Sequence, residues 1–578
     1  MKEEIQKLIL ETLKTLNIEE SNFSVEHPED FKNGDYSTNV AMVCAKKIGK
    51  NPRELATSIK ELIENNLPKE IEKIEVAGAG FINFYLSRDY FTNSIRDILE
   101  NKNNWGKSSL LKGKKIMVEY TDPNPFKPFH IGHLMTNAIG ESVSRVVEFS
   151  GAETIRANYQ GDVGPHVAKA IYGIMKTGMP DENMTISEKA QYIGRCYSDG
   201  SNLYDTDDQA KKEIEIINKA IYGRTDEEIN KVYDWGRSIT LDAFEEIYKL
   251  LGTKFNHYFF ESEMAIAGEK VVRENIGKVF DESDPTREQS EKGQTGAIIF
   301  HGENYDKKLH TRVFINSQGL PTYETKEIGL TMAKFEKENP DISIVVTATE
   351  QSDYMKVVQK AISLIHPDYE IRMKHIAHGM MKFASGKMSS RKGNIVTGES
   401  LLHDSMDIVL EKVKDRELTD EEKNNISRIV GVSALKYSIL KSSLGSDIVY
   451  DFEKSISFEG DSGPYLQYTA VRANSIIIKA KSFNTEDKKE IPTENTELEK
   501  LLYQFPEVVD RAYASLEPHH IATYLTHLAS AFNSFYGNTK ILVDENKCAD
   551  YHLKIVTAFY QTMKNGLWLL GIETPEKM

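Results

Sequence analysis

Cysteine is scarce. Cys44, Cys196 and Cys548 are the three in 578 residues, too few and too widely spaced for a disulfide framework or a paired-cysteine zinc site. A reducing compartment fits that usage. No apolar run approaches the roughly 20 residues that a membrane-spanning helix needs. The amino-terminal "MKEEIQKLILETLKTL" has apolar residues at helical spacing but carries acids throughout, unlike a secretory or transit peptide. A cytoplasmic protein with no membrane partner is expected. Basic charge is also short: a net charge of −16 argues against a protein that coats DNA or RNA through a general excess of Lys and Arg. A nucleic-acid partner would have to be met by a few placed cations. Low-complexity tracts and internal repeats are missing too. With 40% hydrophobic and 28% charged residues, the composition is that of ordinary globular domains. At about 100–200 residues each, three or four of them fit the length.

Three regions follow one another. Residues 1–105 read as an α+β unit: an amphipathic helix, further helical text in "GDYSTNVAMVCAKKIGK" and "NPRELATSIKELIENN", then the glycine-punctuated strand pair "IEKIEVAGAGFINFYL". A polar, lysine-rich linker leads into residues 113–405, which read as a parallel α/β sheet. Its strand candidates are "KKIMVEYT", "TIRANYQ", "GAIIF", "RVFINS" and "DISIVVTA", and acidic helical text at about 181–290 resembles an insertion between two halves of that sheet. After about residue 405 strands are not expected. Residues 420–578 carry helix-period apolar positions, as at Leu525, Leu528, Phe532 and Phe535, the pattern of a helical bundle. The predicted fold class is multidomain: a Rossmann-like parallel-sheet domain with an insertion, an amino-terminal α+β domain and a carboxyl-terminal all-α bundle.

Two stretches carry chemistry. "FKPFHIGHLM", residues 126–135, places His130 and His133 where a strand–turn–helix passage brings unpaired helix N–H groups to an anion. Gly132 leaves room for a flat base to approach the backbone. The same pair also fits one satisfied core histidine and one solvated one. A zinc site would need a third ligand, and the helix offers only Glu141, two turns on, so no structural metal is expected. "ASGKMSSRKGN", residues 384–394, read alone, is a solvated loop rich in Lys, Ser and Gly. Paired with the histidine turn it becomes a candidate flap carrying Lys387, Arg391 and Lys392 over a triphosphate.

"HIGH" at 130–133 and "KMSSR" at 387–391 resemble the two signatures of class I aminoacyl-tRNA synthetases. The strings "GDYSTNVAM", "VEYTDPNPFKPFHIGH", "NYQGDVGPHVAK", "LHTRVFINSQGLPTYETKEIGL", "EGDSGPYLQYTAVR" and "LEPHHIATYL" are similar to the arginyl-tRNA synthetase family nearly end to end. The resemblance implies activation of L-arginine with ATP, as its Mg2+ complex, and transfer to tRNA(Arg) by a monomer without zinc or prosthetic group. It implies that His130, Gly132, His133, Lys387, Met388 and Ser389 hold ATP, with Lys392 also catalytic. It further implies that Glu119, Asn124, Tyr323, Glu327 and Gln351 hold arginine. Ser390 stands where the generic class I pattern has a lysine, Lys392 lies two positions on, and Lys127 is implicated in taking over that role. Glu327 replaces the Asp of some relatives and keeps the charge. A site that hydrogen-bonds a guanidinium rejects analogues by roughly 10⁴–10⁵, so no editing domain is expected.

By the same resemblance the carboxyl-terminal helices would read the anticodon, with Tyr468, Arg472, Asn533, Tyr536 and Trp568 as candidates. The amino-terminal unit would hold the outer corner of the tRNA through Asn33, Tyr36 and Asn39, and tRNA is commonly required for adenylate formation. Two other readings fit part of the pattern: a sister class I synthetase, or a non-catalytic tRNA-binding relative, in which both signatures should have decayed.

Overall fold

Ile116, Met117 and Val118 are apolar without interruption and fully buried, as a strand covered on both faces requires. They form β1 (Lys115–Glu119), the middle strand of a five-stranded sheet in the computed structural model, which describes residues 1–20, 22–283, 296–384 and 396–578. Helix α1 (Ile131–Phe149) leads to β2 (Glu153–Gln160) and β3 (His257–Phe260). Helices α2 (Glu261–Glu274) and α3 (Tyr323–Glu338) precede β4 (Ile342–Ala348) and β5 (Met373–His378). The strand order is β3-β2-β1-β4-β5 and every pair is parallel. The order reverses at β1, so a crevice opens between the carboxyl ends of β1 and β4, the position where such sheets bind ligands.

Helix α1 is buried on nearly all sides, which explains its apolar and small residues around the whole circumference. Gly140 is required there: a Cβ would lie 2.2 Å from the Tyr120 ring. The Tyr120 hydroxyl donates to Glu141 at 2.5 Å, and Glu141 also receives Arg145 and Arg156 at 2.7 and 3.1 Å. This charged knot ties α1 to β2.

The sequence expectations need three corrections. The helices between β2 and β3 end at Leu251, and His257–Phe260 returns to the parallel sheet as its edge. The expected insertion, about 181–290, therefore includes a strand of the sheet itself. "GAIIF" and "RVFINS" are not in that sheet; Ile298–His301 and Thr311–Ile315 pair antiparallel with each other, with Phe280, Phe300 and Phe314 as their core. A short strand does occur after residue 405, where Ile448–Tyr450 runs parallel to Met381–Phe383.

The chain divides into two units, one of residues 106–471, 508–525 and 566–578, the other of 1–105, 472–507 and 526–565. The second is built on an antiparallel sheet in the order Val25–Glu26, Tyr36–Thr38, Phe81–Leu86, Ile71–Ala77. Its core takes in Tyr503, whose ring centroid lies 5.6 Å from those of Tyr90 and Phe91. Asp35 pairs with Lys500 at 3.0 Å and Arg88 with Glu499 at 2.6 Å, so amino-terminal and carboxyl-terminal segments share one core in this unit. Among the described residues no helix is long and apolar enough to cross a membrane.

Candidate active site

The chain leaves β1 through a proline-rich turn in which Thr121, Asp122 and Phe126 all have positive φ, 79°, 46° and 67°. Such conformations cost about 1–3 kcal/mol each and persist only where the surroundings over-determine them. Here they do. The Thr121 hydroxyl accepts from Asn137 Nδ2 at 2.9 Å, and Asp122 Oδ1 accepts from the Tyr159 N–H at 2.8 Å. The Phe126 ring is fully buried against Gly236, where a Cβ would come within 2.3 Å of it.

The turn delivers His130 to the N-cap of α1. The His133 N–H donates to His130 Nδ1 at 3.4 Å and the His130 N–H to His133 Nδ1 at 3.3 Å, a reciprocal capping box made of two imidazoles. Their rings stack at 3.4 Å between centroids. Because each Nδ1 accepts, the proton of each neutral ring is on Nε2. Desolvation, then the Lys127 charge, pulls His130 down to about 4; desolvation, then His130 and Lys127, holds His133 well below its usual range. At neutral pH the pair therefore offers two neutral Nε2–H donors at a helix amino terminus, a fit for phosphate oxygens. Gly132 also lets this arrangement close: a Cβ there would meet the His130 ring at 3.0 Å. Lys127 lies 5.4 Å from the Tyr197 ring centroid, and burial followed by the charge of Lys169 lowers its pKa.

Beside the histidine turn, at the carboxyl ends of β1 and β3 and on α3, carboxylates gather. Glu119 ends β1 and is 2% exposed; its Oε2 accepts from Lys334 Nζ at 2.5 Å. Glu261 opens α2 and pairs with Lys326 at 3.2 Å. Glu327, 8% exposed, receives no hydrogen bond or ion pair from any described residue. Burial, reinforced by the Glu119 charge, raises Glu327 to about 7, and the same two causes hold Asp122 well above the usual carboxylate range. The Tyr159 hydroxyl is buried without a partner among the described residues, and the Tyr354 hydroxyl donates to the Tyr323 carbonyl at 3.0 Å. Four carboxylates and two ammonium groups thus share one buried pocket, an environment that favours an incoming cation.

Residues 94–452 match the family described as tRNA synthetases class I (R), catalytic domain. Residues 466–578 match the DALR anticodon binding domain and residues 3–86 the arginyl tRNA synthetase N terminal domain. Over 562 residues the chain is 33% identical to the arginine–tRNA ligase of Fusobacterium nucleatum, covering 94% of this chain and 93% of that one. Over 590 residues it is 30% identical to that of Halothermothrix orenii, covering 100% and 99%. The chain belongs to the arginyl-tRNA synthetase family. The arginyl-tRNA synthetase structures from Thermus thermophilus and Plasmodium falciparum share its fold, with TM-scores of 0.81 and 0.77 at 24% and 22% identity. The alignment covers 100% of this chain and 100% and 99% of theirs.

Of the positions the family resemblance singled out, Glu119, Asn124 and Glu327 lie at the crevice. Asn124 Oδ1 closes on Gly161, where a Cβ would come within 2.2 Å of it. Tyr323, at the first residue of α3, is 62% exposed, and Gln351 is exposed in the turn after β4. Lys387, Met388, Ser389, Arg391 and Lys392 lie outside the described residues. Sequence reading missed Glu261, Lys326 and Lys334. Glu261 had a usable signal, since it follows a strand of the sheet directly, but that strand went unrecognised.

The polar candidates elsewhere divide. Tyr36 is fully buried, its hydroxyl donating to Glu507 at 2.5 Å, so it offers no face to a nucleic acid. Asn39 Oδ1 accepts from the Ser24 N–H at 2.9 Å, while Asn33 is exposed. Arg472 donates to Asn533 at 3.1 Å and lies 5.5 Å from the exposed Tyr536 ring, which brings three of the carboxyl-terminal candidates onto one patch. Tyr468 is part-exposed on the helix Gly463–Ala480. Trp568 belongs elsewhere: its ring lies 5.1 Å from the Arg145 guanidinium and 5.9 Å from Phe149, on α1.

Proposed function

We propose that the chain joins L-arginine to tRNA(Arg) in two steps. Arginine and ATP, the latter as its magnesium complex and a substrate, give enzyme-bound arginyl-adenylate and pyrophosphate. A ribose hydroxyl of the terminal tRNA adenosine then takes the arginyl group and releases AMP. The first step is attack of an ionised carboxylate on the α-phosphorus, which needs no general base. Catalysis is alignment and stabilisation of charge on phosphate oxygens. The Nε2–H groups of His130 and His133 and the ammonium of Lys127 are the donors assigned to that charge, and the family resemblance adds Lys387 and Lys392. Ser390 lacks an ammonium, and Lys127 supplies one from the histidine turn.

The observation that carries the reading is Glu327, a buried carboxylate that receives no hydrogen bond or ion pair from any described residue. A guanidinium would satisfy it with paired N–H donors, as no smaller cation can. Glu119 and Asn124 are assigned to the substrate ammonium and carboxylate, Tyr323 and Gln351 to the pocket rim. Residues 1–105 are assigned to the tRNA outer corner, with Asn33 and Asn39 as contacts. The carboxyl-terminal helices, through Arg472, Asn533, Tyr536 and Tyr468, are assigned to the anticodon, where single-stranded bases stack on aromatic and guanidinium planes. A cytoplasmic monomer fits this role. The test is ATP–pyrophosphate exchange over all amino acids, with and without tRNA. Exchange with arginine alone is expected; exchange with another amino acid, or with none under both conditions, overturns the assignment.

A further inference from the structure

The charges of the arginine pocket do not pair evenly. Lys326 takes Glu261 and Lys334 takes Glu119, while Glu327 is left without either. Lys334 lies seven residues after Glu327 on α3, and that spacing puts both on one helix face. The Lys334 side chain is 1% exposed, and the groups that face its ammonium are Glu119 from β1, Asp122 from the turn and Glu327 from its own helix. Burial alone would lower its pKa, but these three carboxylates, Glu119 foremost, hold it above its usual value.

A buried ion pair adds little net stability, because desolvating both charges offsets most of their attraction, and an apolar pair of similar size often does as well. Packing therefore gives no reason to keep an ammonium here. The hydrogen bonding gives one. Among the described residues Glu119 has a single side-chain partner, Lys334, and that bond uses only Oε2. Oε1 remains for an incoming group. We propose that Lys334 is a positioning residue for amino-acid recognition: it fixes the Glu119 carboxylate through one oxygen so that the other meets the substrate ammonium, and separates Glu119 from Glu327, which stays open for the guanidinium. The proposal rests on the arginine reading above. Without Lys334 two buried carboxylates would face each other with no cation between them. One would take up a proton, and the pocket would lose a charge that arginine needs.

The test uses the full chain with Lys334→Met and Lys334→Arg, read by arginine-dependent pyrophosphate exchange and by thermal melting. Lys334→Met should raise the KM for arginine about 30-fold or more, the range for losing a charge-assisted bond in a buried site. The KM for ATP should change less than about 2-fold. Lys334→Arg should restore the arginine KM to within about 5-fold of wild type, since it keeps the charge and a donor. In Lys334→Met the KM for arginine should also fall more steeply between pH 7 and 9 than in wild type, because rising pH restores the missing carboxylate. A folded Lys334→Met with unchanged arginine KM, or with arginine and ATP KM raised equally, overturns the role. Should Lys334→Met precipitate, Lys334→Gln, which keeps a donor without charge, is read the same way. Wild-type exchange with arginine separates the two claims: its absence refutes the arginine reading, and its presence with an indifferent Lys334→Met refutes only the positioning role.

Discussion

In the proposed reading, the amino-acid specificity turns on Glu327. Its carboxyl titrates at about 7 in the folded chain against 4.5 in the unfolded one. Between those values the folded state holds the extra proton. The group's stabilising contribution is therefore fully present below about pH 4.5 and is lost as pH rises through 7. Glu327→Gln removes that dependence, so the variant should melt higher than wild type at pH 8.5, by a margin of about 1–3 kcal/mol, and level with it at pH 5. It should at the same time raise the KM for arginine by roughly 100-fold while the KM for ATP holds. Equal changes in both KM values would remove Glu327 from the pocket. The same reading gives Lys127 to the other half of the site. Lys127→Ala should slow adenylate formation about 10²–10³-fold in single-turnover measurements, as loss of one charge-stabilising donor does, with tRNA affinity near normal.

Helix α1 combines capping with chemistry, and the two can be separated. His130→Asn keeps a short acceptor for the His133 N–H but no Nε2–H donor, so melting should stay within about 0.5 kcal/mol of wild type while pyrophosphate exchange collapses. His130→Ala should lose both, with about 1 kcal/mol of stability. A melting loss as large in His130→Asn as in His130→Ala would show that the cap is not what the imidazole supplies. At this scale the strands β1, β2 and β4 and the helix after the histidines were legible, because each is a long run of one period bounded by turn residues. Strand β3 was not: "HYFF" is four residues long and pairs on one side only. With β3 hidden, nothing in the sequence marks Glu261 as the residue that follows a strand of the sheet. Lys326 and Lys334 are charged residues on a charged helix, and their burial follows from which face of α3 turns to the sheet. Tyr36, singled out by the family resemblance, is a core residue under Glu507.

On the scale of the molecule, the two units do not follow the three regions that the sequence suggested. Residues 1–105 share a core with 472–507 and 526–565, and Tyr503 supplies a ring to it. Removing residues 1–105 should leave residues 106–471 folded and active in pyrophosphate exchange, with tRNA charging weakened. Hydrogen exchange should be faster around Tyr503, Glu499 and Glu507, which lose Tyr90, Arg88 and Tyr36. Unchanged protection at those amides would show that the helical segments fold without the amino-terminal ones. The shared core also has a consequence in time. Roughly 400 residues separate Trp105 from Tyr503, and at a synthesis rate of about 5–20 residues per second they take some 20–80 s to appear. For that interval the nascent amino-terminal segment lacks the Tyr503 ring and the partners of Asp35, Arg88 and Tyr36, which the last quarter of the chain brings.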